Sequence, residues 1–287
     1  PDTHLKIANK ILKDSPPKLL HIEKPFCTPD FKNLGLFLEI LKKTKTQVIG
    51  GYNHTLTKNT KLAEKILKKD PIGKILTITS YNREHWQSIF NAHPWIKGPS
   101  GSYLGFTKRG GGSLLEHSHA INIWQHFANF LKLGKINKVN ANLNFVTKDN
   151  VNHDDLSILN VITEKGILGN IIQDVITLPA QKFVRIQGVN GYLEWYTNYS
   201  KNCDAIIIET KKGKKIYNLK KERPDDFEGQ TEEILNLLRA KKKLNSSVSL
   251  NKTLDTMLVI SAALKSNKYK KEIRINYKKG FTLDALE

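Results

Sequence analysis

The sequence has few of the features that mark secreted or membrane-bound proteins. It contains only two cysteines, Cys27 and Cys203, so it has no disulfide framework, and a reducing cytoplasm is the expected location. No apolar run approaches the ~18 residues of a membrane span. The first residues, "PDTHLKIANK", include no apolar segment of a signal peptide. We therefore expect a cytoplasmic protein with no membrane partner.

Arginine is also scarce, although the chain has 46 basic and 27 acidic residues and a net charge of +19. Arginine is the side chain that reads bases and binds phosphate through two hydrogen bonds. Most of the positive charge comes from scattered lysines, and no zinc-finger spacing or aromatic RNA-binding motif is present. We expect no nucleic-acid partner. Hydrophobic residues make up 39% of the chain, which is enough for a folded core.

Helix and strand patterns alternate in the first fifty residues. Apolar spacing predicts a helix over residues 4–13, a strand in "KLLHIEKP", a second helix ending near Lys43, and a strand in "TQVIGGYN". This alternation indicates βα units and a parallel sheet. Ligands bind such sheets at the carboxyl ends of the strands. The sequence places Glu23 and Lys24 at one such end, and Tyr52 and Asn53 at another.

After a helix predicted near residues 57–69, the pattern changes to strands, several with period-two alternation. Turn residues such as Lys165–Gly166 and Asn190–Gly191 join them, which indicates an antiparallel or mixed sheet. Two helices, near residues 229–240 and 251–265, follow. The predicted strands cover residues 74–82, 138–148, 156–163, 169–177, 182–189, 191–197 and 205–210.

One segment of this lysine-rich chain is almost free of charge. Between Gly110 and Leu131 the only formally charged side chain is that of Glu116. A solvent-facing stripe in this protein would carry lysine, so we expect the polar stripe to face a cleft or a second domain. A carboxylate and a histidine three residues apart are neighbours on a helix and suit general acid–base catalysis. On a helix over residues 116–131, the polar stripe consists of Glu116, His119, Asn122 and His126.

Two other interpretations of this stripe remain open. In the first, the helix is buried, and its glutamate and histidine satisfy each other without any catalytic role. In the second, Glu116, His117 and His119 bind a metal ion. Helical spacing points the two histidines about 160° apart, so we assign no metal.

Five segments, in order along the chain, resemble the Gfo/Idh/MocA family of NAD(P)-dependent sugar oxidoreductases. They are "PDTH" (1–4), "IEKPF" (22–26), "GGGSLLEHSHAIN" (110–122), "IQGVNGYLEW" (186–195) and "VISAALKSNK" (259–268). The resemblance implies an α/β fold, in which residues 1–54 are the C-terminal remainder of a Rossmann domain with a partial parallel sheet. Residues 55–287 would form a substrate-binding and dimerisation α+β domain with a large, open, mostly antiparallel sheet.

The family's Gly-x-Gly-x-x-Gly loop, which places the coenzyme pyrophosphate on a helix N-terminus, has no counterpart in this sequence. We therefore expect that the chain begins inside the Rossmann domain. The same absence leaves an alternative function open. In that alternative the chain is a non-catalytic relative, a dimer that binds carbohydrate or protein.

The resemblance implies hydride transfer between NAD or NADP and a carbinol carbon of a sugar or sugar nucleotide. Lys24 matches the lysine that hydrogen-bonds the reacting hydroxyl, and His119 matches the acid–base histidine. Glu116 lies one position nearer His119 than the family's usual aspartate, so we expect it to orient His119. The "EHSH" sequence resembles a branch that acts in surface-polysaccharide or unusual-sugar biosynthesis. The residues implied to line the cofactor are Glu23, Lys24, Pro25 and Asn53.

A long irregular segment, residues 84–109, lies over the sugar site in this family. Aromatic rings stack on sugars, and cations bind carboxylates or phosphates on a substrate. An equal alternative is a packing segment at a subunit interface. The resemblance also implies a homodimer or homotetramer that associates through the open sheet. The predicted substrate contacts are Lys24, Asn53, Trp95, Lys97, Tyr103, Arg109, Asn122 and His126.

Overall fold

The smaller of two β-sheets is formed by the first fifty residues. The computed structural model describes residues 1–148, 150–222, 224–240 and 245–287. Strands β1 (Leu19–Ile22) and β2 (Gln47–Gly50) are parallel, and Ile22 pairs with Gly50. Helix α1 (His4–Asp14) precedes β1, and α2 (Leu34–Leu41) connects the strands. Because the strands are parallel, their carboxyl ends meet at one edge, where Lys24 and Tyr52 follow.

The larger sheet has nine strands in the order β10-β9-β8-β7-β3-β6-β5-β4-β11. Strands β3 and β6 are parallel, and the other neighbouring pairs are antiparallel. The fold is therefore α/β with a small parallel sheet and a large, mostly antiparallel one, as predicted. The strands of the larger sheet are β3 (Ile75–Arg83), β4 (Ile136–Val146), β5 (His153–Thr163), β6 (Leu168–Asp174), β7 (Gln181–Gly188), β8 (Gly191–Ser200), β9 (Cys203–Thr210), β10 (Gly213–Lys220) and β11 (Ile273–Arg274).

Helices cover one face of the larger sheet. The buried Trp124 of α6 packs in one core with sheet residues such as Ile78 and Val184, and its indole donates a hydrogen bond to the carbonyl of Ile78 at 2.8 Å. No helix in the described residues is both long and apolar enough to cross a bilayer. The remaining helices are α3 (Lys58–Leu67), α4 (Gln87–Ala92), α5 (Ser113–Glu116), α6 (His119–Phe130), α7 (Asp225–Arg239) and α8 (Leu250–Tyr269).

The predicted helix over residues 116–131 is wrong at its start. Helix α5 ends at Glu116, and α6 begins at His119. In a continuous helix the amide of Ala120 would bond to the carbonyl of Glu116. That carbonyl instead accepts a hydrogen bond from Lys24 Nζ at 2.7 Å, and the Ala120 amide bonds to the carbonyl of His117. A contact between distant parts of the chain therefore accompanies the break.

Other predicted elements differ mainly at their ends. Helix α2 ends at Leu41, two residues before the predicted end near Lys43, and β10 and β11 were not predicted at all. The small sheet lies within residues 1–54 and the large sheet within residues 55–287. The boundary at residue 54 stays a prediction, because one hydrophobic cluster includes residues from both parts, such as Phe26 and Trp195.

Candidate active site

Lys24 is held at the carboxyl end of β1 by a residue ninety positions away. Its ammonium donates to Glu116 Oε1 at 2.9 Å and to the Glu116 carbonyl at 2.7 Å. The Lys24 and Glu116 side chains are only 12% and 13% exposed. The following peptide bond, Lys24–Pro25, is cis. The ion pair fixes a cation at the edge of the parallel sheet where such folds bind ligands.

Glu116 also accepts a hydrogen bond from the Tyr103 hydroxyl, at 3.2 Å on its second oxygen. Burial acts to raise the pKa of Glu116, but the charges of Lys24 and His117 and the hydrogen bonds from Lys24 and Tyr103 hold that pKa below its usual value. Burial and the same carboxylate raise the pKa of Tyr103. Glu116 is therefore a carboxylate near neutral pH, and its hydrogen bonds hold the Lys24 ammonium in place.

The predicted contact between Glu116 and His119 is wrong, because the helix breaks between them. His119 instead lies against the 3₁₀ turn Asn53–Leu56, which follows β2. Its ring stacks on that of His54, with centroids 4.2 Å apart and planes at 26°. The Tyr52 ring meets His119 edge-on at 5.6 Å. Aromatic packing therefore sets the orientation of His119 where a carboxylate was expected.

The imidazole of His119 is neutral at physiological pH. Burial lowers its pKa well below the usual value, and the nearby charges of His54, Lys24, Lys182 and His117 lower it further. Lys24 Nζ bonds the carbonyl of Glu116, three residues before His119, so the two side chains belong to the same region of the structure. Nδ1 of His119 is buried and has no hydrogen-bond partner among the described residues.

His54 belongs to the site but was missed by the sequence analysis. Burial lowers its pKa to about 3, with smaller contributions from Lys182, Lys221 and Lys24. Its ring lies between those of His119 and Trp195, whose centroid is 5.8 Å away. The one available signal was its position in "GYNH", one residue beyond the strand end that the sequence had singled out.

His117 lies between α5 and α6 and contacts a different part of the chain from His119. Its Nε2 lies 3.2 Å from the carbonyl oxygen of Glu84, whose carboxylate pairs with Lys182 at 2.6 Å. Burial lowers the pKa of His117 to about 4. In residues 1–148, 150–222, 224–240 and 245–287, no group of three His, Cys, Asp or Glu side chains is placed to hold a metal ion.

The glycines before α5 allow a second carboxylate to fix the start of that helix. Asp154 accepts hydrogen bonds from the Ser113 hydroxyl at 2.6 Å and from the Leu114 amide at 2.7 Å. Gly112 has φ +88°, and a Cβ there would lie 2.2 Å from Asp154 Oδ1. Burial raises the pKa of Asp154 to about 6. Asp154 of β5 thus holds the first turn of α5, the helix that carries Glu116.

The other predicted cofactor-lining residues, Glu23, Pro25 and Asn53, have contacts within the protein. The Asn53 side chain donates to the Asp226 carbonyl at 3.0 Å, so its amide nitrogen points to α7. Burial raises the pKa of Glu23, whose carboxylate occupies the space where a Cβ on Gly51 would lie. The Pro25 carbonyl lies 3.1 Å from His4 Nδ1. Their contact with a cofactor stays a prediction.

The predicted substrate residues do not all gather at Lys24. Tyr103 reaches it through Glu116, whereas Trp95 is 74% exposed and Lys97 lies in a surface groove with Phe90 and Pro99. Arg109 pairs with Asp2 at 2.7 Å. Contact of these side chains with a substrate stays a prediction.

The polar stripe of α6 faces other elements and not bulk water, as its lack of lysine indicated. Asn122 is 4% exposed and donates to Thr256 of α8 at 3.0 Å. His126 Nε2 lies 2.9 Å from a carboxylate oxygen of Glu64 on α3. These two side chains line a cavity whose lining does not include Lys24 or His119. The structure therefore does not bring them to the proton-transfer groups.

Comparisons with known proteins identify the fold. No protein-family model and no curated protein matches the chain. Solved structures do match it. The aldose-aldose oxidoreductase from Caulobacter crescentus, complexed with glycerol, is 15% identical with a TM-score of 0.75, and the match covers 96% of this chain and 76% of that one.

Two further structures carry coenzyme. The WlbA dehydrogenase from Bordetella pertussis, in complex with NADH and UDP-GlcNAcA, is 15% identical with a TM-score of 0.69 over 96% of this chain and 76% of that one. An oxidoreductase from Agrobacterium radiobacter, in complex with NAD+, L-tartaric acid and magnesium, is 15% identical with a TM-score of 0.72 over 95% and 77%. The resemblance seen in the motifs is thus confirmed at the level of the fold, and the chain has the fold of the Gfo/Idh/MocA-type NAD-binding sugar oxidoreductases.

Proposed function

We propose that the chain is an oxidoreductase that transfers a hydride between NAD or NADP and a carbinol carbon of a sugar or sugar nucleotide. The observation that carries the proposal is the Lys24 ammonium, which Glu116 holds at the end of β1 through a carboxylate and a carbonyl that lies three residues before the neutral His119. A cation and a neutral imidazole beside one hydroxyl are the groups that carbinol oxidation requires. The "EHSH" motif supports a role in surface-polysaccharide or unusual-sugar biosynthesis.

The residues present fit the nicotinamide end of the coenzyme. Glu23, Lys24 and Pro25 follow β1, and Tyr52 and Asn53 follow β2, at the shared carboxyl edge of a parallel sheet. The sequence contains no Gly-x-Gly-x-x-Gly loop for the pyrophosphate, so no residue of this chain is assigned to that group. When bound, the nicotinamide accepts or supplies the hydride.

The chain's own residues manage the proton. The Lys24 ammonium would donate a hydrogen bond to the substrate oxygen and stabilise negative charge as an alkoxide develops. Glu116 holds that ammonium in place through two hydrogen bonds. His119, neutral because it is buried, would accept the hydroxyl proton at Nε2 or pass it to water. Tyr103 positions the carboxylate and is not required to move a proton.

A second copy of the chain is the proposed partner. The face of the large sheet opposite the helices carries an aromatic cluster, in which Phe183 lies 4.7 Å from Tyr81 and stacks on Tyr196 at 5.4 Å. Burial of such a face supports a homodimer or homotetramer.

The test of the proposed reaction is the variant Lys24→Ala. Its turnover of aldoses or UDP-sugars, followed by nicotinamide absorbance, should fall by about a hundredfold or more, because the oxygen loses its cationic hydrogen-bond donor. Coenzyme binding, measured by energy transfer from tryptophan to NADH, should change little. Lys32→Ala, at an exposed position, is the matched control.

Unchanged turnover in Lys24→Ala would remove this lysine from the mechanism. Absence of any saturable NADH or NADPH signal with the wild-type protein would instead favour the non-catalytic carbohydrate- or protein-binding alternative.

A further inference from the structure

A groove rich in lysine lies on the helix-covered side of the large sheet. Its walls are the second half of α3 and the hairpin of β9 and β10, and its volume is about 640 Å³, within the range of ligand clefts. In the part of the chain that the structure describes, no Asp or Glu lines it, and Asp70, which follows one wall in sequence, is not a lining residue. The lysines of this lysine groove are Lys65, Lys69, Lys211, Lys212 and Lys215.

The five groove lysines lack the acidic partners that two other lysines of α3 have. Lys58 and Lys61, on the neighbouring face of the helix, pair with Glu228 and Glu232 of α7 at 2.7 and 3.2 Å. Among the described residues, none of the five groove lysines has an acidic partner within 4.0 Å. Like charges gathered without counter-charges repel one another, and an anionic occupant would relieve that repulsion.

The floor of the lysine groove is apolar. Leu62 and Ile66 of α3 and Ile208 of β9 line it with the lysines, together with Tyr217 of β10. A phosphate backbone or a sugar acid would satisfy the lysines but leave this floor uncovered. A peptide with carboxylates around an apolar side chain would cover both, since the floor would take the apolar group and the rim the charges.

We propose that the lysine groove binds an acidic segment of a partner protein, in which glutamates or aspartates flank one or two apolar side chains. The site is separate from Lys24 and His119, so it adds an interaction to the proposed enzyme and does not depend on the reaction. The absence of arginine from the lining agrees with this choice over nucleic acid, since arginine is the usual phosphate and base reader.

The test uses a fluorescein-labelled synthetic peptide built from Glu-Glu-Leu repeats, with fluorescence anisotropy as the measurement. Binding should saturate at about 50 mM salt and weaken as salt rises, because exposed charges are screened. A peptide with Gln in place of Glu should lose binding, and one with Ser in place of Leu should bind more weakly. The double variant Lys65→Glu, Lys212→Glu should raise the Kd about tenfold or more.

The matched control is Lys6→Glu, Lys10→Glu on the exposed side of α1, which changes the net charge by the same amount. This control should bind the peptide as the wild type does. Equal losses in both double variants would overturn the proposal, because general charge would then explain the binding, and so would the absence of saturable binding. Tighter binding of duplex DNA or of phosphatidylglycerol vesicles, lost in the groove variant, would also overturn it.

Discussion

At the scale of single residues, the buried histidines make the fold sensitive to mild acid. The pKa of His54 falls to about 3 in the folded protein, whereas an unfolded histidine titrates near 6.5. Below that value the unfolded chain binds a proton that folded His54 does not. The stability that neutral His54 contributes is therefore present above pH 6.5 and is lost as the pH falls toward 3.

The variant His54→Phe tests this linkage. Phenylalanine keeps a ring against His119 and has no group that titrates. Between pH 7 and pH 5, the free energy of unfolding of the wild type should fall more than that of the variant, by roughly 2 kcal/mol. Urea unfolding at the two pH values measures the difference. Parallel pH dependence in the two proteins would contradict the prediction, because it would mean that the pKa of His54 is the same in the folded and unfolded states.

The residues of the site were predictable to different degrees. Lys24 and His119 were predicted because they stand in short motifs, and their roles stay predictions, although both side chains occupy confined positions in the fold. The sequence predicted His119 as the partner of Glu116, but the partner is Lys24. Spacing along one helix cannot reveal a lysine from another part of the chain. His54 was missed for the same reason, because its role depends on a stack formed only in the fold.

At the scale of elements, the start of α5 depends on a glycine. Gly112→Ala would place a methyl group against Asp154 and hold alanine at φ +88°, which should lower the free energy of unfolding by about 2 kcal/mol or more. Gly213→Ala has a similar backbone strain, at φ +106°, but no atom of the described residues lies within 4 Å of the new Cβ. Chemical denaturation of both variants separates the contact from the strain, and equal losses would show that Asp154 does not matter.

Element boundaries were predicted best where burial alternates. In β7 and β8 the residues facing the helices are buried, and the sequence shows that period directly. Strand β10 was missed because it is an exposed edge strand, in which lysines at both faces hide the alternation. The break between α5 and α6 was missed because the apolar spacing continues through it, while the bond from Lys24 that accompanies it comes from outside the segment.

At the scale of the whole molecule, the aromatic face of the large sheet leads us to predict that the protein is a homodimer or homotetramer. Phe183→Glu places a charge in the aromatic cluster with Tyr81 and Tyr196, where burial against a second copy would leave it unpaired. Sedimentation equilibrium should then report the monomer mass of 32.7 kDa for the variant and a multiple of it for the wild type. Leu36→Glu, at an exposed apolar position on α2, should associate normally. A monomeric wild type would contradict the prediction.

The order of strands in the large sheet also bears on how the chain folds during synthesis. Strand β3 is the first of the nine to leave the ribosome, yet its neighbours are β6 and β7, with Thr77 paired to both Leu168 and Gln187. Until those later strands emerge, β3 has no partner in the sheet. Pairings so distant in sequence close slowly, so β3 stays an unpaired apolar segment until β6 and β7 have been made, and such segments are prone to aggregate in a nascent chain.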